Sequence, residues 1–296
     1  KQAIFELFYT GTGSTTSVII PDRSGIIPAR PVDDSNLFVG TPNMPALTGV
    51  RNVAVGQFCG NSLTTGTDNV AIGRDTLNTN ATGIGSIAIG SSALNAATGD
   101  YNVAVGLNAG RFLTTGTQNV AIGSQALTNA TTVRDCVAIG HNAGQNITLS
   151  GGPNGGHVAI GRDALAAVTA TNDNVGVGRY AGGNIVTGGG NTIVGGQSGG
   201  SIVSGNNNVV IGHQASLNTD RSGCVGIGAG TSTGTVTFSA DNQLLIQLGN
   251  GAGTAGALRS NLIPQVGALG AFYRYIEVVM SDGAGGAVTK KLPLYD

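Results

Sequence analysis

A four-residue phrase, apolar–small–apolar–glycine, recurs twelve times along this chain, and its regular spacing constrains the fold more than any other feature. It runs from Leu37-Phe38-Val39-Gly40 and Val53-Ala54-Val55-Gly56 to Val209-Val210-Ile211-Gly212 and Val225-Gly226-Ile227-Gly228. Measured from glycine to glycine, the steps are 16, 17, 17, 16, 17, 17, 21, 17, 17, 17 and 16 residues. The long step carries Ser150-Gly151-Gly152-Pro153-Asn154-Gly155-Gly156, a turn-rich insertion expected to bulge outward. Leu244–Gly249 reads as a final degenerate copy. A unit this short holds two short strands and two turns, with no room for a helix. It cannot bury an apolar face alone, so the copies must stack. The expected fold is all-β, a parallel β-roll or β-solenoid of about 12 coils, one per copy.

Each slot of the repeat has a physical reading. The residue before the anchor glycine is Val or Ile in every copy, and the residue three before it is apolar in all but Thr192. Side chains two apart share one face of a strand. The residue between them points the other way, and it is alanine at Ala54, Ala71, Ala88, Ala104, Ala121, Ala138 and Ala159. An exposed slot would accept Thr, Lys or Glu, so near-constant alanine suggests close packing by another chain. Those seven alanines are the expected trimer-packing residues. Four positions before the anchor stands asparagine: Asn36, Asn52, Asn69, Asn102, Asn119, Asn174, Asn191 and Asn208. Stacked coils would place these carboxamides above one another as a ladder that serves the turns.

Composition removes several alternatives. Glycine numbers 51 of 296 residues without the every-third-residue period of collagen. The net charge is −1 and only three lysines occur, Lys1, Lys290 and Lys291, which argues against nucleic-acid binding. Disorder needs low hydrophobicity with high charge, whereas 40% of residues here are apolar and 10% charged. No apolar run approaches the ~18–20 residues of a spanning helix, so no membrane insertion is expected. The first residues lack the basic start, long apolar stretch and small-residue cleavage site of a signal peptide.

The repeat boundaries divide the chain into three segments. Residues 1–35 do not repeat and are the expected attachment segment. Residues 36–249 form the solenoid domain. Residues 250–296 depart from the repeat and read as a β-hairpin module. There, 272–280 alternates well enough for a strand, Asp282–Gly286 turns, and Val288–Tyr295 returns.

Chemistry-bearing residues are few. His141 and His213 directly follow anchors several coils apart, and His157 sits in the asparagine slot. Metal binding needs three or four ligands together, so no metal or cofactor is expected. Cys136 and Cys224 also occupy the asparagine slot, and Cys59 a slot otherwise filled by alanine; all three read as small buriable residues. The two glutamates, Glu6 and Glu277, lie outside the repeats. Asp75 and Asp163 share a slot behind Arg74 and Arg162 but five coils apart, too far to act as the carboxylate pair of a glycosidase within one chain. The chain is therefore expected not to be an enzyme.

The phrase Asn-Val-Ala-Ile-Gly with a following Ala-Leu or Ala-Gly, as in Asn69–Gly73 and Asn119–Leu127, resembles the head repeats of trimeric autotransporter adhesins. It resembles still more the repeats of bacteriophage fibre and virion-appendage proteins of that architecture. The resemblance covers about residues 36–249 and implies a left-handed parallel β-roll in a homotrimer. The ending Tyr275-Ile276-Glu277-Val278-Val279 with Lys291-Leu292-Pro293-Leu294-Tyr295 is similar to C-terminal segments of phage structural proteins. The repeats are longer than the roughly 14 residues typical of adhesin heads, and the sequence contains no coiled-coil stalk or membrane-anchor pattern, which favours the phage reading. The resemblance implies a virion-surface structural protein, a fibre or capsid decoration. Its expected partners are itself, other virion proteins through residues 1–35, and a host-surface glycan or protein. A bacterial surface adhesin is the alternative, and a polysaccharide-cleaving tailspike the second.

Overall fold

The computed structural model describes residues 36–41, 48–148, 155–169, 173–217, 220–228, 241–248, 256–261, 275–281 and 287–293. The expected attachment segment 1–35, most of the insertion 150–156, and the turn 282–286 lie outside the described residues. Among the described residues there is strand and turn but no helix. The contacts cluster into two units, Lys1–Asp135 and Cys136–Asp296.

The first unit contains β1 (Leu37–Thr41), β2 (Val53–Gln57), β3 (Val70–Ile72), β4 (Ile87–Ile89), β5 (Val103–Val105) and β6 (Val120–Ile122). Each pairs in parallel with the next, and the repeat slots lie in register: Ala71 opposite Ala88, Ala88 opposite Ala104, Ala104 opposite Ala121. The second unit contains β7 (Val137–Ile139), β8 (Val158–Ile160), β9 (Val175–Val177), β10 (Thr192–Val194), β11 (Val209–Ile211), β12 (Val225–Ile227) and β13 (Gln243–Leu248), again parallel and in register. The chain is thus a parallel β-solenoid of about 10 turns, slightly fewer than the 12 expected.

After β13 the pairing changes sense. β14 (Gly256–Asn261), β15 (Tyr275–Ser281) and β16 (Ala287–Pro293) run antiparallel, with Leu245 opposite Arg259 and Glu277 opposite Lys291. β14 falls in a stretch where the repeat pattern gives no strand signal.

The strands are short because the backbone leaves the β region on either side of them. From Gly56 onward, the residue five before each anchor is left-handed, with φ of 58° at Arg51, 61° at Asp68 and 62° at Asp173. The anchor itself is at 123° in Gly90 and 135° in Gly106. A Cβ on Gly90 would stand 2.6 Å from the Gly106 carbonyl oxygen, so this glycine is fixed both by φ and by the coil beneath it. Among the described residues the second strand expected beyond the anchor does not form. From Gly56 to Gly195 the residues two and four along are left-handed in turn, as in Asp75 at 57° and Leu77 at 46°, and the segment closes as successive turns. The fourth position is glycine in Gly60, Gly110, Gly144 and Gly182 but leucine in Leu77, Leu94, Leu127 and Leu165. A left-handed leucine costs about 1–2 kcal/mol. Full burial of its side chain, worth about 1.5–3 kcal/mol, offsets that.

Candidate functional site

Two candidate features come from the repeat, an inner ladder and an outer strand face. The asparagine ladder forms as expected. In the first unit Asn52 donates through Nδ2 to Asn36 Oδ1 at 3.0 Å, and Asn69 to Asn52 Oδ1 at 3.1 Å. Asn119 donates to Asn102 Oδ1 at 3.0 Å. Ser86 interrupts the column and accepts the Asn102 backbone amide at 3.3 Å. Each Nδ2 also reaches the carbonyl of a turn residue, as Asn69 does to Gly83 at 2.7 Å. In the second unit Asn174, Asn191 and Asn208 form the same column, and Asn208 Oδ1 accepts the Cys224 amide at 2.9 Å. His157 fills the slot below them fully buried, its Nδ1 accepting the Asn174 amide at 3.3 Å.

The strand face is the reverse of the expectation. Ala54, Ala71, Ala88, Ala104, Ala121, Ala138 and Ala159 are at most 1% exposed within a single chain. They cannot be the residues that meet another chain. They line the inside of the coil, where side chains from the turn segment leave room for little more than a methyl group. Two size exchanges show this. Where the slot is empty at Gly176, Leu165 fills it, and a Cβ there would lie 2.8 Å from Leu165 Cγ. Where the slot is large at Ile193, the facing residue is Gly199, whose added Cβ would lie 3.0 Å from Ile193 Cγ2.

The β-branched pair on either side of the alanine therefore faces outward. Ile72, Ile87, Ile89 and Ile122 in the first unit are exposed, as are Ile139, Ile160, Val194, Ile211 and Ile227 in the second. Register lines them up, with Ile72 opposite Ile89 and Val105 opposite Ile122. The result is a flat apolar stripe on each unit. Isolated exposed aliphatics are ordinary, but contiguous ones mark contact surfaces. Alternation alone does not say which face is inward. The readable signal was the volume exchange between the central strand slot and the turn segment.

The charged residues mostly serve turns. Arg51 grips Asp68 through Nε at 2.6 Å and Nη2 at 2.8 Å, and that hydrogen bonding holds the Asp68 carboxyl below its usual range. Arg74 pairs with Asp75 and Arg162 with Asp163, each at 3.0 Å. Asp220 accepts backbone amides from Val203, Ser204 and Gly205 of the preceding coil. His141 and His213 are exposed, and Cys59, Cys136 and Cys224 are buried free thiols. Among the described residues no three His, Cys, Asp or Glu side chains gather as a metal site. No helix among them is long and apolar enough to cross a membrane. The chain matches no family model, no curated protein and no solved structure.

Proposed function

We propose that this chain is a non-enzymatic structural protein of a phage virion, a homotrimeric β-solenoid fibre or capsid decoration. It would act in assembly, particle stabilisation or host-surface attachment. The observation that carries the proposal is the in-register apolar stripe of Ile72, Ile89 and Ile122, matched by Ile139, Ile160 and Ile211. A narrow coil filled by alanine, leucine and asparagine completes its own interior and still leaves a flat aliphatic face in water. Copies of the same chain, laid parallel about an axis, would bury that face against itself. The ion pairs of Asp75 and Asp163 with neighbouring arginines support turn roles for these carboxylates. The resemblance of the repeats to phage appendage repeats supports the virion setting. Residues 1–35 would dock on the particle and the C-terminal strands would form a hairpin module of their own.

Light scattering on the purified protein tests the oligomer: the expected mass is three times that of one chain, and a monomer overturns it. Labelled copies on particles test the setting, with a few at the tail for a fibre or many over the capsid for a decoration.

A further inference from the structure

The turn segment after each anchor glycine carries a feature that the strand face does not use. Five residues beyond the anchor, six successive copies place Asn61, Asn78, Asn95, Arg111, Thr128 and Gln145. From this slot Asn95 Nδ2 donates to the Asp75 carbonyl at 2.8 Å, and Thr128 Oγ1 to the Asn108 carbonyl at 2.9 Å, so the side chain ties one coil to the coil before. The next three copies hold Ala166, Gly183 and Gly200, whose side chains cannot make such a bond. At Gly200 the backbone does not demand it. Neither glycine has a left-handed φ; a Cβ on Gly183 would press the Asp163 carbonyl oxygen at 3.2 Å, while one on Gly200 would meet nothing within 4 Å. Giving up a tie between coils at Gly200 without a local conformational reason points to another use for the space.

The omission leaves a groove of about 480 Å³, with the three small residues as its floor. Asp163, Tyr180 and Gln197 form its wall, one from each of three adjacent coils, all from the slot two beyond the anchor with φ of 55°, 60° and 57°. Two coil steps make this wall roughly 10 Å long. The polar groups are held in place. Asp163 accepts from Asn142 Nδ2 at 2.9 Å and from Arg162 Nε at 3.0 Å. Gln197 Oε1 accepts from Gln214 Nε2 at 2.8 Å, and Asn184 Nδ2 donates to the Gly200 carbonyl at 2.7 Å. Tyr180 is 37% exposed, with the guanidinium groups of Arg179 and Arg162 at 5.3 and 5.7 Å from its ring centre.

The volume falls within the ~300–1,000 Å³ of small-ligand sites. A purely apolar ligand would waste the fixed carboxylate and carboxamides, which would lose water without gaining partners. A ring with an apolar C–H face and many hydroxyls uses both the tyrosine and the polar wall. We infer that this groove binds a short oligosaccharide. The inference rests on the host-attachment side of the proposed function and adds to it a place and a ligand class.

The test uses the 296-residue chain with maltotriose, chitotriose and trigalacturonic acid, read by saturation-transfer NMR and calorimetry. At least one sugar is expected to bind. Gly200→Gln refills the trough with the residue type that Gln145 supplies, and Tyr180→Ala removes the ring. Each should weaken binding about tenfold or more with an unchanged unfolding midpoint. No binding by any of the three sugars overturns the inference, and so does equal binding by Gly200→Gln. Mass measured on the same samples keeps the two ideas apart. A trimer that binds no sugar defeats only the groove, whereas a monomer that binds sugar defeats only the assembly.

Discussion

The side-chain oxygen of Asn174 accepts both the backbone amide of Asn191, at 2.9 Å, and its Nδ2, at 3.0 Å. Asn191 repeats the arrangement with Asn208, at 3.0 and 2.9 Å, and its Nδ2 also donates to the Gly205 carbonyl at 2.9 Å. One buried carboxamide thus satisfies groups from its own coil and from both neighbours. A coil taken alone would leave these groups unpaired, which ties the stability of each coil to that of the next.

Asn191→Ala should therefore be among the most damaging single changes in the second unit. It deletes four side-chain bonds, strands the Asn208 amide and the Gly205 carbonyl in a buried interior, and leaves Asn208 Nδ2 only its bond to the Arg221 carbonyl. At about 1–3 kcal/mol for each unsatisfied group, the expected loss is on the order of 3 kcal/mol or more. Asn191→Asp should not rescue it, because a carboxylate cannot donate to Gly205. Urea denaturation reads both, and a loss below about 1 kcal/mol would contradict the ladder's role.

How much of this was legible in the sequence differs from slot to slot. The ladder was readable because asparagine in a fixed slot has one physical use in a stack. The strand positions were readable because the period kept β-branched residues two apart. The inward and outward faces were not, since alternation is symmetrical and Ala104 suits either a tight interior or a tight interface. The second strand expected after each anchor was also misread. Leucines at 77, 94, 127 and 165 look like strand residues, yet they adopt left-handed φ, in the position that other coils fill with glycine. The groove at Gly200 lay hidden in the repeat, since it is an absence in a slot that tolerates variety.

The reversed faces predict opposite outcomes for two kinds of substitution. Ala104→Val adds two methyl groups inside the coil and should cost about 1–3 kcal/mol without changing the mass of the assembly. Ile72→Asp with Ile89→Asp places charge on the outer stripe. The far-UV circular dichroism of the coil should survive, while the species in light scattering falls to one chain. If the alanine change dissociates the protein and the isoleucine changes do not, the alanines belong at the interface after all.

The thiols should be inert in the native state. Burial pushes the Cys59 thiol up, outweighing a backbone hydrogen bond that lowers it, so it holds less thiolate than a free cysteine at any neutral pH. Cys136 and Cys224 are equally buried. A disulfide reagent at pH 8 should label none of the three on the timescale of a free thiol, and all three once denaturant is added. Rapid labelling of Cys59 in the native protein would mean that its coil opens readily.

Acid should loosen the turn at residues 203–205 through Asp220. Burial by itself raises this carboxyl, but the Ser204 hydroxyl and the amides of Val203, Ser204 and Gly205 donate to it and leave it below its usual range. A carboxyl lowered by folding stabilises the native state in full above its unfolded value of about 3.9. That contribution is lost as pH falls through the lower native value. Asp220→Ala should therefore cost on the order of 1 kcal/mol at neutral pH, and its difference from the parent should shrink progressively below about pH 4. Asp68 gives a contrast, because its bond to Arg51 lies at the surface and should weaken with added salt. Asp220 is held by backbone dipoles rather than a counter-charge, so its effect should persist in the same salt. Stability curves for alanine variants of the two aspartates at low and high ionic strength separate these cases, and an Asp220 effect that disappears in salt would assign it to long-range charge instead of the turn.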